Sequence, residues 1–307
     1  MKEIKIFCPA SIANLSCGFD VLGLCLDNIG DEMIIRTVAE RGIRITKITG
    51  ADLPLETEKN VAGVAALALI NEINPGCGFE IEIHKNIKAG SGIGSSAASA
   101  VGAVFGINEL LGKPFSRKEL VYFAMKGEAL ASGSEHADNV APALLGGFTL
   151  VRGYEPLDIV QIESPSELFA IALHPQIEVK TVDARAVLHP MISLKSAITQ
   201  WGNVGGLIAG LCTNDYELIG RSLQDVIVEP LRKVLIPGFD DVKLAALKAG
   251  ALGSGISGSG PSIFALCKGE ENAKNVSIAM SENYKNTGIS FDIHVSRVNP
   301  IGVKIIN

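Results

Sequence analysis

The chain has 307 residues, 47% of them hydrophobic and 20% charged, a composition that excludes a disordered protein and suits one large or two ordinary folded domains. Its net charge of −6 comes without any cluster of Lys or Arg, so no broad basic field exists to collect nucleic acid. A small anionic ligand is not excluded, because it needs only local positive potential.

The chain begins Met-Lys-Glu-Ile-Lys-Ile-Phe, a short charged strand over Glu3–Cys8 and not a signal peptide. No later apolar run is long enough to span a bilayer, so no membrane partner is expected. Pro9-Ala-Ser-Ile-Ala-Asn14 through Cys17-Gly-Phe-Asp20 separates this strand from the next, Val21–Leu26. Asp20, flanked by Phe19 and Val21, reads either as a local Asx turn or as a half-buried carboxylate suited to a substrate ammonium group. A third strand, Met33–Val38, a helix over Asn60–Asn71 and a strand over Phe79–His84 follow.

Next comes Ile87-Lys-Ala-Gly-Ser-Gly-Ile-Gly-Ser-Ser-Ala-Ala98, the most informative stretch of the chain. Gly90, Gly92 and Gly94 leave backbone amides unshielded and free to take positive φ. Small residues at once begin a helix, Ser95–Leu111. A strand, a run of free amides and a helix N-terminus together make an anion site, most often for phosphate. The loop is not a P-loop, since no G-x-x-x-x-G-K-S/T occurs in the chain.

A helix from Ser116 opens with the capping box Ser116-Arg-Lys-Glu119. Its apolar stripe of Leu120, Ala124 and Ala131 includes Glu128. A buried carboxylate there needs either an internal Lys or Arg partner or a bound cation, and Mg²⁺ accepts one carboxylate together with phosphate oxygens. Ser132–Pro142 crowds His136, Asp138 and Asn139 into a tight turn, readable as a surface turn or as a segment running beside a ligand. Adjacency in sequence does not give His136 or Asp138 the geometry of a general base. A strand over Gly147–Arg152 follows, and the polar, proline-bearing Tyr154–Pro165 is the best domain boundary, dividing the chain into 1–163 and 164–307.

The second half is expected to hold a strand over Leu168–Leu173 and helices near Met191–Cys212, Asp215–Leu223 and Asp240–Ala249. Arg185 and Arg232 are isolated cations there, able to clamp a carboxylate but equally at home on a surface. A second glycine loop, Gly253-Ser-Gly-Ile-Ser-Gly-Ser-Gly-Pro261, contains a formal G-x-G-x-x-G. It lies after a helix and before a strand, the reverse of a dinucleotide fingerprint. Strands over Ser262–Cys267 and Phe291–Val298 flank a helix near Glu270–Tyr284. The six cysteines are scattered without C-x-x-C pairs and read as buried free thiols of a cytoplasmic protein.

Taken together, these motifs resemble the GHMP kinase family. The family's first-loop pattern is met from Ile87 to Ala98, with Ile93 standing where Leu or Met is usual. Pro9–Asp20 resembles its first motif and Gly255–Ser262 its third, while Glu135–Pro142 and Glu229–Arg232 resemble segments of the branch that acts on L-homoserine. The resemblance implies an α+β architecture with a ribosomal-protein-S5-like N-terminal domain and a ferredoxin-like C-terminal domain. It further implies transfer of the ATP γ-phosphoryl group to the side-chain hydroxyl of L-homoserine, a step in threonine synthesis, using Mg²⁺; apart from the resemblance, apolar surface contacts lead to the expectation of a homodimer. By position, Lys88, Ala89, Gly90, Ser91, Gly92, Ile93, Gly94, Ser95, Ser96, Ala97 and Ala98 would surround the ATP phosphates, with Asn60 near the nucleotide. Ser96 and Glu128 would hold the metal. Asn14, Asp20, His136, Asn139, Arg185, Arg232 and Gly258 would contact the amino acid, with Asn139 and Arg185 acting in catalysis. Asn139 stands where other members carry an aspartate base, so the expectation is catalysis without a protein base.

Overall fold

The computed structural model describes residues 2–179 and 181–306. In chain order the first part runs β1 (Glu3–Ala13), β2 (Leu22–Val38), β3 (Gly42–Thr49), α1 (Val61–Ile73), β4 (Gly78–His84), α2 (Ser95–Leu110), α3 (Arg117–Ser132), α4 (Val140–Leu145), β5 (Phe148–Tyr154) and β6 (Leu157–Ile162). The second part continues with β7 (Leu168–Pro175), α5 (Thr181–Ala186), α6 (Leu194–Thr213), α7 (Tyr216–Ser222), α8 (Glu229–Arg232), α9 (Phe239–Lys248), β8 (Gly253–Ile256), β9 (Ile263–Lys268), α10 (Glu270–Tyr284), β10 (Phe291–Arg297) and β11 (Lys304–Ile306).

β1 and β2 are the spine of a seven-stranded sheet ordered β11-β1-β2-β4-β3, with β5 pairing to β2 and β6 in turn to β5. The sequence reads as two strands broken by Asp27-Asn-Ile-Gly-Asp31, yet β2 is continuous. Two causes keep the polar run in the strand. β1 stays paired with both halves, absorbing the bend in a bulge between Pro9 and Ser11, and Asp31 is a buried ion-pair partner and not a turn residue. β3, α4, β6 and β11 are elements that the hydrophobic pattern alone does not announce. β11 pairs with β1, so Lys304–Ile306 belong to the first sheet and not to the unit that begins near residue 164.

α2 packs on this sheet at close range because its inner face is nearly bare. A Cβ on Gly102 would meet Cys8 Sγ at 2.4 Å, and one on Gly106 would meet Ile35 Cδ1 at 2.6 Å. That closeness fixes the helix N-terminus, and hence the glycine loop, relative to β1.

The second sheet is four-stranded, ordered β10-β7-β9-β8 and antiparallel throughout. With α9 before β8 and α10 after β9 it has the split β-α-β-β-α-β arrangement expected of a ferredoxin-like domain. β7 is buried along its whole length, with alternate residues serving two cores. Leu168, Ala170 and Ala172 face the large core shared with the first sheet, while Phe169, Ile171 and Leu173 face α9 and α10. The second glycine segment is half strand: Gly253–Ile256 pairs with β9, and only the residues after it form the turn. Of the cysteines, Cys8, Cys17, Cys25 and Cys267 are buried free thiols as expected, but Cys212 is exposed and Cys77 half-buried.

Candidate active site

A cleft of about 430 Å³ opens between the two sheets, lined by Asn60, Ala89–Gly92, Gly94–Ser96, Glu128, Asn139 and Gly258. Gly90, Gly92 and Gly94 all adopt positive φ, at 72°, 80° and 74°. Such a run leaves little choice but glycine, since an L side chain costs about 1 kcal/mol or more in that region. Gly94 is also the N-cap of α2 and supplies no side-chain cap. The first-turn amides of α2 therefore point into the cleft as donors for an anion, with the helix dipole behind them. α3 is the contrast, because Ser116 and Glu119 close its N-terminus in a full capping box.

The second glycine segment locks onto the first. Ser257 Oγ donates to Gly92 O at 2.7 Å and Ser262 Oγ donates to Ser91 O at 2.6 Å, while Gly258 N ties the same turn to the end of β1 by donating to Ala13 O at 3.2 Å. The approach is close enough that a Cβ on Gly92 would meet Gly260 O at 2.6 Å.

Glu128 lies at the inner wall of the cleft, on the α3 face turned toward α2. Burial pushes its carboxyl up to about 7, Asp138 pushes the same way, and a hydrogen bond from Ser96 opposes them. Ser96 and Glu128 thus form an adjacent pair of oxygen donors beside the free amides. That donor set suits a hard cation that completes its shell with phosphate and water. No group of three His, Cys, Asp or Glu able to cage a metal exists among the described residues.

Beyond Asn139 and Gly258 lies a charged cluster. Arg185 Nη2 donates to both Asp20 oxygens at 3.1 Å and to His136 Nε2 at 2.9 Å. A guanidinium has no acceptor, so His136 Nε2 accepts and carries no proton. Burial, the largest cause, and Arg185 hold the imidazole pKa below its ordinary value, outweighing Asp20. Arg185 Nε is buried without a partner among the described residues, leaving one N–H for an incoming acceptor. Phe19 carries two cation–π contacts, with the Arg185 guanidinium 5.5 Å and that of Arg232 4.9 Å from its ring. Arg232 is buried and donates to Ala184 O at 2.8 Å and Gly258 O at 3.2 Å. Burial brings its pKa down to about 10, which still leaves it charged at neutral pH. Asn14 donates to Gly258 O at 2.8 Å and accepts from Asp20 N at 3.0 Å, tying this cluster to the glycine turn.

A loop-plus-acid cleft facing a carboxylate–arginine cluster has counterparts of known kind. The sequence models for the GHMP kinases N terminal domain and the GHMP kinases C terminal domain match residues 60–147 and 207–286. A homoserine kinase of Chlorobium phaeobacteroides is 50% identical, the match covering 100% of each chain. The chain belongs to the GHMP kinases. Within them it falls in the homoserine kinase branch. A crystal structure of homoserine kinase from Cytophaga hutchinsonii superposes with a TM-score of 0.96 at 54% identity, covering 100% of this chain and 98% of that one. A mevalonate kinase from L. major shares the fold alone, with a TM-score of 0.73 at 14% identity over 97% and 96% of the two chains.

In this GHMP kinase the residues singled out from sequence sort into three places. Asn60, Ala89 to Gly92, Gly94 to Ser96, Glu128, Asn139 and Gly258 line the cleft. Asn60 does so as the cap of α1, its Oδ1 accepting from Ala62 N at 3.0 Å. Asn14, Asp20, His136, Arg185 and Arg232 form the neighbouring cluster. Four residues lie outside both. Ile93, Ala97 and Ala98 are buried in the core beneath the loop. Lys88 is turned to the surface, hydrogen-bonded to Gln176 and 3.6 Å from Asp292. Its neighbours are therefore on the second sheet and not in the cleft.

Two residues that hold the loop in place escaped sequence reasoning. Lys85 and Asp31 form a buried ion pair under the loop. Asp31 Oδ1 accepts from Asn86 N at 2.7 Å and Ile87 N at 2.9 Å, while Lys85 Nζ donates to Ser95 O at 2.8 Å and Ser99 Oγ at 3.1 Å. The pair holds both ends of the glycine loop at once. Its signal was an Asp inside an apparent turn and a Lys just past a strand, neither of which points to the other.

Proposed function

We propose that this GHMP kinase transfers the γ-phosphoryl group of ATP to the side-chain hydroxyl of L-homoserine, giving ADP and O-phospho-L-homoserine. The observation that carries the reading is the meeting of two unlike sites at Gly258, which lines both the amide-rich cleft and a small pocket holding Asn14 and Arg232. One side suits a triphosphate. The other offers Asp20 to an α-ammonium group, and Arg185 and Arg232 to an α-carboxylate. A sugar or mevalonate acceptor would have no use for that combination of charges.

In this reading the amides of Gly90–Ser96 hold the phosphates, and Asn60 lies near the nucleotide. Ser96 and Glu128 are the residues that would hold Mg²⁺, which when bound supplies charge neutralisation to the phosphates. Asn139 is positioned by Ser11, whose hydroxyl donates to Oδ1 at 2.8 Å, so its amide nitrogen is the free donor end. It hydrogen-bonds the group in transfer. Arg185 orients the amino acid and stabilises developing negative charge. No side chain need act as base. Asp138 is buried, does not line the cleft and is pushed up to about 7 by burial and by Asp20. A loose phosphoryl-transfer transition state gains chiefly from alignment and charge stabilisation, and the hydroxyl proton can leave on phosphate.

A coupled ADP-release assay with L-homoserine, with and without Mg²⁺, tests the assignment, and ³¹P NMR identifies the product. Homoserine-dependent ADP formation with a new phosphomonoester signal is expected. ADP formation with another alcohol and none with homoserine would reject the substrate. A reading as a homodimer in the cytoplasm goes with this function, the free thiols fitting a reducing compartment. Among the described residues no helix is long and apolar enough to cross a membrane.

A further inference from the structure

α6 turns a stripe of Ala197, Gln200, Leu207 and Leu211 toward the interior, and Gln200 is its polar member. The carboxamide is buried, the residue being 7% exposed, and both of its ends are engaged. Nε2 donates to Cys17 O at 2.9 Å and to Asp225 Oδ1 at 3.0 Å, while Oε1 accepts from Val226 N at 3.0 Å. An apolar side chain would fill this place without the cost of burying an amide, so what sets Gln200 apart is what it joins.

It joins the two arms of the amino-acid cluster from behind. Cys17 belongs to the Asn14–Asp20 segment, in which Asn14, Leu15, Ser16 and Asp20 take positive φ, at 72°, 44°, 60° and 60°. Non-glycine residues keep that conformation only where surrounding contacts impose it, and such strain collects at functional sites. Asp225 opens the other arm. Its Oδ1 also accepts from Ile227 N and Val228 N, each at 2.9 Å, and its Oδ2 accepts from Glu229 N at 2.9 Å. The carboxylate thereby fixes the start of α8, and Arg232 follows one turn on, its backbone N donating to Val228 O at 3.0 Å. On the cleft side the arms meet at Gly258 O, which accepts from Asn14 Nδ2 and from Arg232 Nη1. Gln200 is the second tie, on the far side of both arms.

We propose that Gln200 and Asp225 are positioning residues for the amino acid, which set the distance between Asp20 and Arg232 and thereby select a ligand carrying an ammonium and a carboxylate group on one carbon. The inference rests on the homoserine reading above. Neither side chain lines the cleft, and each acts through one arm of the cluster. The separation matters only to a ligand that reaches both arms, because a molecule bearing a single charge can follow whichever arm moves. Asp225 has a second effect in the same direction. Burial lowers the pKa of Arg232, and Asp20 and, less strongly, Asp225 oppose it, helping to keep the guanidinium charged.

Gln200→Met keeps the size of the side chain and removes the tie. It is expected to raise KM for L-homoserine at least tenfold while KM for ATP stays within about twofold, since a displacement of roughly 1 Å in a positioned group can cost on the order of a hundredfold. Gln200→Glu should be worse, because its carboxylate would face the Cys17 carbonyl and Asp225. Asp225→Asn puts a donor where one of four N–H groups needs an acceptor and should give the same split, so the test survives the failure of one variant to fold. Asn203→Ala is the control: Asn203 Nδ2 donates to Gln224 O at 2.9 Å, bracing the same turn from α6 without reaching Cys17, and both KM values should hold. Inhibition constants supply the second readout. Gln200→Met should weaken L-2-aminobutyrate, which carries both charges, at least tenfold and leave propylamine and butyrate, which carry one each, within about threefold. Equal rises in both KM values, no rise in either, a loss confined to kcat, a rise in Asn203→Ala as large as in Gln200→Met, or equal weakening of all three inhibitors would each overturn the proposal. A wild-type chain that does not turn over L-homoserine rejects the substrate reading before any variant is made, and the proposal falls with it.

Discussion

Glu128 is a carboxylate that the sequence places on an apolar helix face and the structure places beside Ser96, at the inner wall of a cleft. Glu128→Gln is expected to lower kcat at least a hundredfold, about 2.7 kcal/mol of barrier, with KM for homoserine changed less than threefold. Steady-state kinetics at saturating ATP and Mg²⁺ check it. Asp138 is the opposite case, a carboxyl next in sequence to the cleft-lining Asn139 but itself outside the cleft. Asp138→Asn should leave kcat within about tenfold, and a loss near a thousandfold would mean that it serves as base after all. The same variant has a pH signature. The folded pKa of about 7 lies above the unfolded value of ~3.9, so the protonated native form contributes stability fully below pH ~4 and loses it as pH rises to about 7. The Tm of Asp138→Asn should therefore gain on wild type between pH 4 and 7 and level off above, as thermal melts across that range would show. At this scale the types of the site residues were legible in the sequence, but their partners were not. Asp20 and Arg185 stood out as separate charges, and only the fold brings them to 3.1 Å.

The glycine loop is legible as an element because its chemistry is local: three alternate glycines, then a helix without a side-chain cap. What the sequence could not give is its second half. Ser257 and Ser262 donate to Gly92 and Ser91 across 165 and 171 residues, so the cradle is built from two segments that no local pattern connects. Gly92→Ala tests that contact. A Cβ there meets Gly260 O at 2.6 Å and Ser257 O at 2.8 Å, against a backbone that cannot swing aside. The expected result is a rise of at least tenfold in KM for ATP with a much smaller change in KM for homoserine, read by varying each substrate in turn. Equal rises in both would mean that the whole cleft is disturbed. Failures of element reading have the same root. β2 looked like two strands because the polar stretch between Leu26 and Met33 interrupts the apolar pattern, and the Lys85 partner that buries Asp31 is seen only in the fold, while the short β11 has too little pattern to be seen without its pairing to β1.

On the scale of the whole molecule, two sheets share one large core through the alternating faces of β7, and the candidate cleft is the seam between them. Each sheet contributes what the other lacks. The first brings the amide loop, Glu128 and Asn139, and the second brings the closing turn at Gly258 and the arginines of α5 and α8. The order of strands and helices, and hence the fold class, could be read from alternating and helical periods along the chain, whereas the seam depends on contacts between distant segments and emerges only in three dimensions. Everything proposed for catalysis rests on a triphosphate lying along Gly90–Ser96. A crystal of the protein soaked with a non-hydrolysable ATP analogue and Mg²⁺ measures that directly. The account predicts phosphate oxygens within about 3.2 Å of those amides and a cation between Ser96 and Glu128. A triphosphate seated elsewhere, or a cation away from both side chains, would contradict it.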